Sequence, residues 1–125
     1  MYSSLLAVVV GGSIGCVCRW LLSVKLNDLY PNLPMGTLLV NLIGGFIIGM
    51  AMAFFVRHPG LDPAWKLLIT TGLCGGLTTF SAFSAEVVLM LQQGRLGWAA
   101  ITISSHVVGS LLMTFAGYLL MSRVG

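Results

Sequence analysis

The chain has 125 residues, of which 58% are hydrophobic and 7% charged, with a mean hydropathy of +1.01. A water-facing globular surface needs about a quarter of the residues charged, so a soluble domain is excluded and an integral membrane protein is indicated. The net charge of +3 comes from six scattered Lys and Arg with no basic run, which argues against a nucleic-acid partner.

Four segments reach the roughly 20 residues that cross a hydrocarbon core, and the length suits one domain over 1–125. The first runs from about Leu5 to Val24. Tyr2-Ser3-Ser4 offers no positive leader region, so no cleavable signal peptide is expected. Gly11 and Gly15 lie four apart, as do Gly45 and Gly49 in the next span; this spacing lets helix backbones approach closely in lipid. Cys16 and Cys18 point about 200° apart on a helix and cannot share a metal. With Cys74 they read as small apolar packing residues. Arg19, next to the interfacial marker Trp20, either snorkels to the membrane surface or lends positive potential to an anion vestibule.

The second span runs from about Met35 to Val56, with Pro34 expected in its first turn. Asn41 shares a face with Gly45 and Gly49, and its amide serves equally as an interhelical bond or as a lining donor. The third span runs from about Ala64 to Leu91, opened by Asp62 as N-cap and Pro63 at the first helical position. Its centre is Gly72-Leu73-Cys74-Gly75-Gly76-Leu77-Thr78-Thr79-Phe80-Ser81-Ala82-Phe83-Ser84. Three glycines in five residues and two β-branched threonines weaken a helix there. Backbone groups released at that depth cannot face lipid, so a break must lie within protein or along an aqueous path. This stretch is therefore expected to interrupt the third helix at the functional centre.

Just past that point Phe80 and Phe83 share a face among Thr79, Ser81 and Ser84. Aromatic edges are positive, so ring edges, hydroxyls and amides together suit a small anion; core or lipid-facing packing is the plainer reading. Glu86 is the one acidic residue inside a span and belongs outside the narrowest part of any anion path. The fourth span runs from about Leu96 to Met121 and carries Thr102, His106, Ser110 and Thr114 every four residues, a polar stripe suited to a path or a subunit seam. His106 reads as a neutral hydrogen-bonding ring before a proton carrier.

Four spans put both termini on one side. Arg57, Lys66 and Arg123 then face that side, against Lys25, Arg95 and, near the end of its span, Arg19 on the other. Positive residues normally fix orientation by accumulating on the cytoplasmic side. A nearly even split predicts insertion both ways and, with so thin a bundle, an antiparallel homodimer.

Three motifs carry a family resemblance: Gly12-x-x-Gly15-x-x-x-Arg19-Trp20, Gly36-Thr37-Leu38-x-x-Asn41-x-x-Gly44, and Gly72-x-x-Gly75-Gly76-x-Thr78-Thr79-Phe80-Ser81-x-Phe83-Ser84. Together they resemble the small bacterial fluoride channels of the Fluc/CrcB family, over essentially the whole chain, with the third motif the specific one. The resemblance implies an all-α membrane protein with a broken third helix. It further implies an antiparallel dual-topology homodimer with two fluoride pores in the bacterial cytoplasmic (inner) membrane. Such a channel releases fluoride that accumulates when HF enters the cell. The resemblance also implies a structural sodium ion (Na⁺) at the dimer centre, on backbone carbonyls at the positions of Gly75 and Thr78. The pore phenylalanines match Phe80 and Phe83, the pore asparagine Asn41, and the vestibule arginine and glutamate Arg19 and Glu86. Ser81, Ser84 and Ser110 match hydroxyls along the pore. Ala82 departs from the family, many members of which carry Thr there.

No nucleotide motif, metal cluster or nucleophile–base pair is visible, so neither catalysis nor energy coupling is expected. The rival readings are a small four-span proton-coupled multidrug exporter and a non-transporting assembly protein. The exporter needs an intramembrane carboxylate early in the chain, and the first span has none, leaving only Glu86.

Overall fold

The computed structural model describes residues 1–124, and every regular element among them is helical. Helix α1 is Tyr2–Leu26 and α2 is Met35–Arg57. The third crossing, Pro63–Gln92, consists of α3 (Pro63–Leu67), a π-helical stretch Leu68–Cys74, α4 (Gly75–Leu77) and α5 (Phe80–Gln92). Helix α6 is Leu96–Val124. The four crossings are each long and apolar enough to span a membrane, and the protein is a multi-pass membrane protein.

Local chemistry sets the ends. The Asp62 carboxylate accepts from Ala64 N at 3.0 Å with Pro63 next to it, the N-cap read from the sequence. Pro34 stands one place earlier than expected, as the N-cap of α2 with extended ψ of 102°. Asn27, at the C-cap of α1, reaches across to α2: its Oδ1 accepts from Thr37 N at 3.0 Å and its Nδ2 donates to Thr37 Oγ1 at 3.3 Å. One amide thereby satisfies a free N–H of the first turn of α2. Between α5 and α6, Gly94 has φ of +73°. Its N–H donates to Leu91 O at 3.1 Å, and Arg95 N donates to Met90 O at 2.8 Å. This is the paired closure that ends a helix through a left-handed residue. Gly94→Ala is expected to cost about 1 kcal/mol, checked by reversible unfolding in mixed micelles. A loss below a few tenths would mean that the turn relaxes.

Lipid offers no hydrophobic force between helices, so close packing of backbones must hold the bundle. On one side α1 lies against the π-helical stretch and α4. A Cβ at Gly15 would fall 2.7 Å from Leu77 N, and one at Gly76 would fall 2.6 Å from Gly12 O. On the other side α2 and α6 meet as closely: a Cβ at Gly45 would lie 3.0 Å from Ser110 O, and one at Gly117 3.1 Å from Met50 N. The Arg57 guanidinium donates to the Ser122 carbonyl and ties the far ends of these two helices. At the opposite end Arg95 donates to Asn32 Oδ1 at 2.7 Å, and Tyr30 meets Trp98 edge-on. Phe83, Val87, Met90 and Ala99 pack as a buried cluster between α5 and α6. The outer face of α1, from Leu5 through Val17, is exposed, as a lipid-facing surface must be.

The sequence reading places the break within residues 72–84, with the three glycines and the two threonines both weakening the helix. Gly72, Gly75 and Gly76 are helical, and the extended residues come after them. Thr78 has φ −84°, ψ 159° and Thr79 has φ −151°, ψ 119°. Gly72 and Gly76 sit where side chains would collide with α1. They permit contact, and the bend falls on the β-branched pair.

Candidate functional site

The helix bend opens onto a groove of about 570 Å³ between α2, α4, α5 and α6, lined among others by Asn41, Gly75, Thr78, Phe80, Phe83 and Ser110. Two extended residues displace several hydrogen bonds, and the new partners define the site. Asn41 holds Thr79 from both sides: its Oδ1 accepts from Thr79 N at 2.8 Å and its Nδ2 donates to Thr79 O at 3.1 Å. Because Thr79 N–H can only donate and Thr79 C=O only accept, the amide's orientation is fixed. The same Nδ2 lies 2.9 Å from His106 Nδ1. An amide nitrogen only donates, so Nδ1 is the acceptor and a neutral His106 carries its proton on Nε2. His106 is 4% exposed, and Nε2 is buried without a partner.

Carbonyl bookkeeping at the bend is equally specific. In a continuous helix Thr79 N would close on Gly75 O, Phe80 N on Gly76 O, Ser81 N on Leu77 O and Ala82 N on Thr78 O. Thr79 N goes to Asn41 instead, and Ala82 N goes to the Thr79 hydroxyl at 3.1 Å as the cap of α5. Gly76 O accepts from Arg19 Nε at 2.9 Å. Cys74 O takes both Thr78 N at 3.0 Å and Thr78 Oγ1 at 2.9 Å. Among the described residues no hydrogen bond closes on the carbonyls of Gly75, Leu77 or Thr78. Of these three residues, Gly75 and Thr78 line the groove, while Leu77 is buried. Two uncommitted carbonyl oxygens beside an open groove fit a hard monovalent cation, which takes oxygen ligands without needing a carboxylate.

Aromatic rings form one wall. Phe83 is 8% exposed and lies between two rings: Phe80 at 5.4 Å with planes at 61°, and His106 at 4.5 Å with planes at 37°. Phe80 is 75% exposed on the rim.

Most of the other residues singled out in the sequence lie outside the groove. Arg19 meets the bend from the α1 side rather than lining the groove. Ser81 is exposed, with its hydroxyl 3.4 Å from Thr79 Oγ1, and Ser84 is half-buried. Glu86 Oε2 accepts from Thr37 Oγ1 at 2.6 Å, while Oε1 is buried without a partner. The stripe on α6 divides: His106 and Ser110 line the groove, Thr102 is buried and donates to Met90 Sδ at 3.3 Å, and Thr114 packs against Gly45. The chain Asn27–Thr37–Glu86 was not anticipated from the sequence. Its members are 10 and 49 positions apart, and no local spacing signals such a link; only Glu86, as a carboxyl within a span, marks one end.

The profile of the family described as CrcB-like protein, Camphor Resistance (CrcB), matches residues 6–118. The chain is 65% identical over 122 residues to a protein of Erwinia tasmaniensis named fluoride-specific ion channel FluC, covering 98% of each. Proteins of the same name from Pectobacterium atrosepticum and Pseudomonas aeruginosa are 61% identical over 124 residues and 59% over 117. They cover 99% and 94% of this chain and 98% and 92% of their own lengths. With a match that runs through all four crossings and through the bend at Thr78-Thr79, the chain belongs to the CrcB-like family.

Proposed function

We propose that the protein is a fluoride channel that lets cytoplasmic fluoride leave passively, as an antiparallel dual-topology dimer built around a structural sodium ion. The observation that carries this reading is the bend itself. Asn41 grips Thr79 beside the groove, Phe80 and Phe83 stand next to it, and the carbonyls of two lining residues, Gly75 and Thr78, have no hydrogen bond. The relatives' name supplies the anion. Fluoride holds its water tightly, so a selective path must offer donors in place of that water; ring edges, the Ser110 hydroxyl and the amide-held His106 Nε2–H are of that kind.

The carbonyls of Gly75 and Thr78 would hold the sodium ion, whose charge would offset theirs and keep the bend from closing into a helix. Two features of the single chain support pairing with a second copy. Phe80 and the groove lie on an open face away from α1, and the cations divide almost evenly between the two ends. The placement within a bacterial inner membrane follows the same family reading. Glu86, the carboxyl that an exporter would use, is already engaged by Thr37.

The test is ion efflux from liposomes reconstituted with the purified protein. Fluoride is expected to leave rapidly under a potassium diffusion potential while chloride stays. Equal rates for the two ions, or no fluoride flux, would reject the reading.

A further inference from the structure

We infer that Arg19 is a positioning residue for the bend in the third crossing, acting as a hydrogen-bond donor to the backbone and not as a charge seen by the passing ion. The inference rests on the channel reading above and on the accounting of carbonyls.

Where the helix is interrupted, Gly76 O loses Phe80 N–H and gains Arg19 Nε at 2.9 Å, contributed by a residue 57 positions away. A carbonyl at this depth without a donor is costly, since lipid supplies none. The glycine contacts bring α1 to backbone distance of α4, with a Cβ at Gly76 falling 3.0 Å from Cys16 N, and Arg19 lies one helical turn beyond Gly15 on that same face. The guanidinium therefore enters from behind the bend, on the side away from the groove. It engages Gly76 O and leaves uncommitted the oxygens of Gly75 and Thr78, two residues that line the groove. A positive group at the C-terminal end of α4 also opposes the partial negative charge of the released carbonyls. Without that donor Gly76 O becomes a further orphan, and the balance shifts toward rebuilding the helix through Thr78-Thr79, against the two bonds that Asn41 makes to Thr79; rebuilding would draw the Gly75 and Thr78 oxygens back into helical bonds.

Three substitutions separate this role from the alternatives. Arg19→Gln keeps an N–H donor without charge, Arg19→Lys keeps both in another shape, and Arg19→Met keeps only the apolar stem. Two measurements are made on the purified, reconstituted protein: amide hydrogen exchange of peptides spanning residues 76–84, and the sodium concentration giving half-maximal fluoride efflux. For Arg19→Met, exchange across 76–84 is expected to change on the order of tenfold and the half-maximal sodium concentration to rise by a similar factor. Arg19→Gln and Arg19→Lys are expected to stay within about threefold of the parent on both measures.

If Arg19→Met exchanges at the parent rate, or if Arg19→Gln loses flux as fully as Arg19→Met with parental exchange, the donor role is overturned in favour of a charge role. Should Arg19→Met fail to assemble, the Gln and Lys variants decide alone: parental exchange and sodium dependence in both support the inference, and loss in Gln with retention in Lys overturns it. Absence of fluoride flux from the unmodified protein would instead remove the channel reading, and the exchange data would still report on the bend.

Discussion

Alanine in place of Asn41 is expected to abolish fluoride flux and to weaken the fold. The side chain closes two hydrogen bonds on a single peptide unit, at 2.8 and 3.1 Å, and orients His106 with a third contact at 2.9 Å. Removing it leaves Thr79 N–H and C=O without partners at a half-buried site, a loss of about 2–6 kcal/mol for the two groups. The extended conformation of Thr79 loses its support, and Phe80 and Phe83 shift with the start of α5. Asn41→Asp is the sharper control. It is nearly isosteric, yet an oxygen in place of Nδ2 cannot donate to Thr79 O or to His106 Nδ1. Both variants should show lower midpoints in reversible unfolding and no measurable efflux from liposomes. Parental flux in Asn41→Asp would mean that the bend is held by other means.

The second large effect concerns the rings. Phe83→Ile is expected to slow fluoride efflux about 5- to 150-fold, the equivalent of losing about 1–3 kcal/mol from its two ring contacts. Isoleucine keeps the bulk that packs against Val87, Met90 and Ala99, so assembly should persist, read as an unchanged elution volume in size-exclusion chromatography. Phe80→Ile removes one ring contact and, with the side chain largely exposed, should leave subunit stability untouched while still lowering flux. Unchanged flux in both variants would reduce the rings to packing. A fall in flux that tracks a loss of folded protein would say the same.

Much of this arrangement is legible in the residues. Four runs of apolar sequence give the four crossings, and Asp62-Pro63 opens the third with the expected side-chain bond. The glycine pairs on α1 and α2 forecast close helix contacts, though not which helix meets which. Asn41 and Ser110 stand out as polar groups in lipid, and both line the groove. The sequence misleads where a residue's role depends on its neighbour in space. Glycines that weaken a helix in isolation stay helical here, and two of them, Gly72 and Gly76, pack directly against α1. The cap from Asn27 to α2, the bond from Thr37 to Glu86 and the reach of Arg19 to Gly76 cross 10, 49 and 57 positions. Nothing periodic in the chain points to any of them, because hydrogen bonds between helices leave no local pattern.

The pairing of α1 with the third crossing bears on how the protein is made. The ribosome delivers α1 first, yet the surface that its glycines fit belongs to residues near 72–77. While α2 is inserting, that notched surface has no counterpart and faces acyl chains. The bundle can settle only after the third crossing leaves the translocon, so nascent chains truncated before about residue 80 should remain open to proteases and quality control.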